Sequence, residues 1–122
     1  LTKLPFEAHL MVLAPEAMAS RYVEAGCSRL IVHAEACANL RDTLENINAL
    51  GATSAVALNP ETDAGAVADV LDLVDLILVM THTEKGISEL IIGTLTQQLV
   101  NRSESIPVMC IHPHETGFNY NY

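Results

Sequence analysis

With 122 residues and a mass of 13.2 kDa, the chain has the size of one domain and little room for a second. Half of the residues are hydrophobic and the mean hydropathy is +0.29, which supports a buried core and argues against disorder. Six Lys and Arg against 15 Asp and Glu give a net charge of −9, which repels nucleic-acid phosphates and anionic membrane surfaces.

The first β-like run spans residues 6–12. Pro15 opens a helix, since proline is tolerated in the first turn, and Met18, Tyr22 and Val23 carry it to a capping glycine at Gly26. Residues 29–35 form the second predicted strand. Leu40, Leu44, Ile47 and Leu50 recur at steps of three and four and predict a second helix, ended by Gly51. The third strand, residues 54–58, is almost wholly apolar and stops at Asn59-Pro60. Ala66, Val67, Val70, Leu71 and Val74 give a third helix its apolar stripe. The fourth strand covers 76–80, and Ser88 caps a helix carrying Leu90, Ile91, Leu95 and Leu99. Residues 107–111 are a fifth strand, and the aperiodic tail 112–122 is expected to be irregular.

Apolar strands that alternate with amphipathic helices are the signature of a parallel sheet covered by helices. Strand starts recur every ~20–30 residues, the length of a right-handed βα unit. Two architectures fit. One is an open doubly wound sheet, which five strands complete. The other is a (β/α)₈ barrel of the TIM type, which takes ~250 residues, so that this chain supplies only part of it. The pattern leaves both open. No apolar run reaches the ~18 residues of a membrane span, and no signal peptide is visible. Cys27, Cys37 and Cys110 lack paired spacing and read as reduced thiols of a cytoplasmic protein. The chain begins at Leu1 rather than Met, consistent with a missing start.

In either architecture chemistry gathers at the C-terminal ends of the strands. Period-two alternation puts Glu7, His9 and Met11 on one face of the first strand, and His33 with Glu35 on one face of the second. Asn59 follows the third strand, Met80 and His82 end the fourth, and His112 and His114 follow the fifth. Histidines converging from several strands can bind a divalent metal through neutral imidazole. Equally, each can hydrogen-bond locally, and no HxxH or HExxH spacing favours the metal. His9, inside an apolar strand, requires a partner and is the most informative of them. Met11, Met80 and Met109 also suit plain core filling, and the cysteines read as small buried apolar groups. The acidic surplus (Asp42, Glu45, Asp63, Asp69, Asp72) reads as a solvated face. Neither GxGxxG nor GxxxxGK[ST] is present, so nucleotide binding has no local support.

The run Phe6-Glu7-Ala8-His9-Leu10-Met11-Val12, then Pro15, Glu24-Ala25-Gly26 and Val32-His33-Ala34-Glu35-Ala36, resembles the ribulose-phosphate 3-epimerase family. Ala57-Leu58-Asn59-Pro60-Glu61-Thr62 and Val74-Asp75-Leu76-Ile77-Leu78-Val79-Met80-Thr81 continue the resemblance in the same order. It implies a partial (β/α)₈ barrel, one domain over residues 1–122 with about five βα units, whose strands are the third to seventh of the full barrel. It also implies an isomerase of the pentose phosphate pathway that interconverts D-ribulose 5-phosphate and D-xylulose 5-phosphate. There, two carboxylates move the C3 proton and a divalent metal (Zn, Fe, Mn or Co) holds the enediolate charge. Carried over by residue, His9 matches a metal ligand, Met11 and Met80 match methionines against the substrate, and His33 matches a histidine that supports the site from behind. Asn59 joins Met11, Met80 and His33 as a substrate-binding candidate.

The departures are equally specific. The family's His-x-Asp strand, its Asp-Gly-Gly after the seventh strand and the phosphate-binding glycines of the eighth have no counterpart here. His82-Thr83-Glu84-Lys85-Gly86 replaces the family's Asn-Pro-Gly-Phe-Gly-Gly-Gln loop, and Glu7 stands in place of Asp. With one of four metal ligands assigned, metal binding is expected to be weak and activity of this chain alone impaired. Glu7 and Glu35 are substitute acid/base candidates by face position only. The alternatives are a non-catalytic remnant acting through self-association, and another sugar-phosphate enzyme on the same barrel. Open strand edges further imply a homo-oligomer.

Overall fold

The computed structural model describes residues 2–80 and 105–111. The helix expected after Ser88, the tail 112–122, and His82, His112 and His114 lie outside the described residues.

Five strands form one sheet: β1 Glu7–Leu10, β2 Arg29–His33, β3 Thr53–Leu58, β4 Val74–Met80 and β5 Val108–Ile111. Every pairing is parallel, and the spatial order β1-β2-β3-β4-β5 repeats the chain order. That order decides between the two architectures. A doubly wound sheet reverses direction and places its first strand inside, whereas a barrel adds each strand beside the last. The structure is therefore a partial (β/α) barrel.

Two apolar clusters lie on opposite faces of the sheet. Leu10, Leu30, Val32, Val56, Leu58, Ile77 and Val79 pack with Ala19 of helix α1 (Ala19–Glu24) and with Leu44 and Ile47 of helix α2 (Leu40–Ala49). Ile31, Ala55, Ala57, Leu76 and Leu78 form the other cluster, with Ile111 against it. Burial on both faces is why β3 and β4 read as nearly continuous apolar runs rather than as alternating strands.

The helix termini follow local chemistry. Gly26, at φ 102°, ends α1 with its N–H donating to the Val23 carbonyl, while Cys27 N–H donates to Tyr22. This pair of bonds is the Schellman arrangement that a left-handed glycine permits. Asn39 caps α2 by accepting from the Asp42 N–H at 3.2 Å, and its own amide donates to the Asp42 carboxylate at 2.8 Å.

Four expectations change. β1 is shorter than residues 6–12. The helix opened by Pro15 is a 3-10 turn, Pro15–Ala17, followed by α1 after Met18. β2 stops at His33, so Glu35 lies in the 3-10 turn Ala34–Ala36 and not on a strand face with His33. The third helix is a 3-10 segment, Ala64–Val70, and Val74 already belongs to β4. Asp63 accepts from Gly65 N–H at 2.7 Å and Ala66 N–H donates to the Asp63 carbonyl, which winds this start tightly. Glycine inside a helix also disfavours the α form by about 1 kcal/mol.

At the N-terminal ends of the strands Arg29 bridges three of them. Its Nε and Nη2 donate to Asp75 at 3.0 and 2.7 Å, and Nη1 donates to Glu7 at 2.8 Å. The register shift between Ser54 and Ala55 pairs Ser54 with Val74 and Ala55 with Leu76, which leaves Asp75 as the extra residue.

Gly26→Ala should destabilise the fold by about 1–2 kcal/mol, the strain of a left-handed L-residue. Urea denaturation measures it. The added Cβ would also stand 3.3 Å from the Phe6 ring, so Phe6→Ala should recover none of the φ strain but relieve the crowding.

Candidate functional site

His9 in β1 pairs with Ile31, and His33 lies two residues further along β2 on the same face. Both imidazoles thus reach the C-terminal rim, where their Nε2 atoms stand 2.9 Å apart. The ring centroids are 5.0 Å apart and the planes differ by 12°. Face-to-face stacking would keep the ring atoms ~3.5 Å apart. The rings therefore meet edge to edge through an N–H···N hydrogen bond. His33 is 1% exposed and His9 half-buried. Burial lowers the His9 imidazole below its usual 6.5, and the neighbouring His33 lowers it further.

Glu35 stands behind His33, with Oε2 3.4 Å from His33 Nδ1. Its Oε1 accepts from the Asn59 backbone N–H at 2.8 Å and from the Thr62 hydroxyl. Burial alone would raise this carboxyl, but the His33 ring beside it and the hydrogen bonds from Thr62 and Asn59 outweigh that and hold the group at about 2. Cys37 donates its thiol to the His33 carbonyl at 3.3 Å. Burial pushes that thiol up to about 11, and the charges of Glu16 and Glu35 act in the same direction against a Thr43 hydrogen bond.

Of the expected site residues, the structure brings His9, His33, Glu35 and Asn59 into one bonded group. Met11 and Met80, both half-buried, sit just after β1 and at the end of β4, on the same rim. Glu7 is placed elsewhere: it opens β1 at the opposite end and is bound by Arg29. Thr62 and Arg29 were not foreseen. A threonine three residues beyond Asn59 carries no signal of its own, whereas an arginine at the start of an apolar strand does ask for a carboxylate partner.

Among the described residues, no group of three or more His, Cys, Asp or Glu is placed to hold a metal ion. The two imidazoles spend their facing nitrogens on each other, and a zinc site takes three or four protein ligands. The described residues do not fit a complete metal centre.

Residues 1–88 match the family model described as the ribulose-phosphate 3 epimerase family. The chain belongs to the ribulose-phosphate 3-epimerase family. It is 40% identical over 82 residues to the chloroplastic ribulose-5-phosphate-3-epimerase of Arabidopsis thaliana, covering 66% of this chain and 29% of that one. The ribulose-phosphate 3-epimerase of Bacillus subtilis is 40% identical over 80 residues, 66% of this chain and 37% of its own length. That of Rhodobacter capsulatus is 40% identical over 79 residues, 65% and 35% respectively. The chain thus spans about a third of the length of these epimerase-family relatives.

The Glu35 carboxyl sits lower in the fold than its ordinary 4.5, so its stabilising contribution is whole above pH 4.5 and is lost as pH falls toward 2. Wild type should lose on the order of 3 kcal/mol across this window from Glu35. In Glu35→Gln that part of the slope should vanish, as read by denaturation at a series of pH values.

Proposed function

We propose that this chain forms the substrate-facing part of a ribulose-phosphate 3-epimerase barrel. Its substrates are D-ribulose 5-phosphate and D-xylulose 5-phosphate, interconverted by proton transfer at C3. The observation that carries this reading is the His9–His33 pair at the C-terminal rim of sequential parallel strands, inside the segment that matches the family. Met11, Asn59 and Met80 border the same rim and supply its apolar and polar contacts to a sugar phosphate. A chimera tests the reading: residues 6–80 replace the matching segment of the Bacillus subtilis relative. A folded chimera that epimerises ribulose 5-phosphate supports it, and a folded but inactive chimera overturns it.

The 122-residue chain alone should not exchange the C3 proton of ribulose 5-phosphate, because neither family aspartate is aligned and each acid/base group is worth ~10²–10⁴ in rate. Deuterium wash-in followed by NMR reads this directly. Exchange that disappears in Glu7→Gln or Glu35→Gln would reveal a substitute base. Divalent metal binding by the chain alone should likewise be weak. Calorimetry showing tight stoichiometric Zn²⁺ binding that His9→Ala abolishes would contradict that expectation.

We also propose that the chain self-associates and works in a reducing compartment, the cytoplasm. Cys27, Cys37 and Cys110 are unbridged, and no helix among the described residues is long and apolar enough to cross a membrane. Among the described residues β1 and β5 are edge strands, and Leu4, Phe6 and Leu13 beside β1 and Met109 in β5 are exposed. Light scattering should find a homo-oligomer, and a monodisperse monomer with a high, cooperative melt would contradict it.

A further inference from the structure

Glu35 is bonded in a way that an acid or base does not require. Its Oε1 takes hydrogen bonds from the Asn59 N–H and the Thr62 hydroxyl, and its Oε2 faces His33 Nδ1. An ionised carboxylate attracts an N–H and repels a lone pair, so His33 Nδ1, held 3.4 Å from Oε2 in an electrostatic contact rather than an aligned hydrogen bond, is the ring nitrogen that carries the proton. A neutral His33 with its proton on Nδ1 keeps a bare lone pair on Nε2, and this is the atom that meets His9. Two lone pairs cannot share a 2.9 Å contact, so His9 Nε2 donates the bonding proton. The lone pair of neutral His9 then lies on Nδ1. The placement of one proton on His33 thus dictates the placement of the next on His9.

We propose that Glu35 is a positioning residue, which fixes the ring orientation and tautomer of His33 and, through the edge-to-edge contact, those of His9. The proposal rests on the epimerase reading only in taking His9 as a site residue, since the proton arrangement itself needs no substrate. Two features make the linkage stiff. His33 is 1% exposed, so water does not compete for its ring nitrogens. Glu35 is itself held from the loop after β3 by Asn59 and Thr62, so the turn after β2 and the loop after β3 aim it together. The carboxylate–imidazole–imidazole series sets which lone pair of His9 is offered to the rim.

The full chain labelled with ¹⁵N-histidine tests this by long-range ¹H–¹⁵N correlation at neutral pH, which separates protonated from bare ring nitrogens. Wild type should show His33 protonated on Nδ1 and bare on Nε2, with His9 protonated on Nε2 and bare on Nδ1. Glu35→Gln can still accept from Asn59 and Thr62 but turns an NH₂ toward His33, so both rings should invert. Glu35→Asp keeps an acceptor there and should retain the wild-type pattern, a rescue that loss of packing alone would not show. A wild-type His33 that is bare on Nδ1, or protonated on both nitrogens, overturns the proposal. So does a folded Glu35→Gln chain with both patterns unchanged. If that variant does not fold, the wild-type and Glu35→Asp spectra decide. An inactive chimera would sink the epimerase reading without altering these spectra, whereas an inverted wild-type pattern sinks this proposal whatever the chimera does.

Discussion

The parallel register of β1 against β2 is the constraint on which the rest depends. It sets Glu7 opposite Arg29 and His9 opposite Ile31. Side chains alternate with a period of two, so a slip of one residue would send His9 into the helix-covered core and pull Leu10 out. The salt bridge at one end and the imidazole pair at the other require the same register. Neither could form in a shifted pairing.

The polar groups are therefore divided between the two ends of the sheet. At the N-terminal ends, Arg29 answers two carboxylates with a fork of directed hydrogen bonds across β1, β2 and β4. At the C-terminal ends the Glu35 carboxylate is met by donors from the loop after β3 and stands beside the His9–His33 pair. Apolar side chains of Ile31, Ala55, Ala57, Leu76 and Leu78 separate these groups. In such a setting each charge interacts with its own partners far more than with the distant set.

Much of the fold was legible because apolar run length and the capping glycines are local signals. β3, β4, α2 and Gly26 all stand near where periodicity and turn chemistry place them. The barrel itself was not legible from pattern. Strand order is a non-local property, and only the family motifs spoke to it. The segment 64–70 misled because an apolar stripe does not distinguish a 3-10 helix from an α-helix when the run is short and holds a glycine. In the site, His9 was legible as a polar residue in an apolar strand that needed a partner. Its partner was not, because diagonal neighbours across a parallel pair depend on register. Glu35 was noticed for a wrong geometric reason. The alternation that placed it beside His33 fails once β2 ends, and a tight turn brings it there instead. Glu7 drew attention by the same alternation, which says nothing of the arginine that occupies it.

Cys37 carries a consequence for the durability of the histidine pair. A thiol at about 11 is ionised in about one molecule in ten thousand at neutral pH, and the thiolate is the form that attacks peroxides and alkylating agents. Its proton is engaged with the very carbonyl that leads out of His33. Oxidation to a sulfenic or sulfinic acid would place a bulky polar group against β2 and the turn that aims Glu35. The chain instead exposes Cys110 on β5, away from that turn, where an oxidant meets sulfur first. The sulfur nearest the site is thereby kept in its protonated, unreactive form.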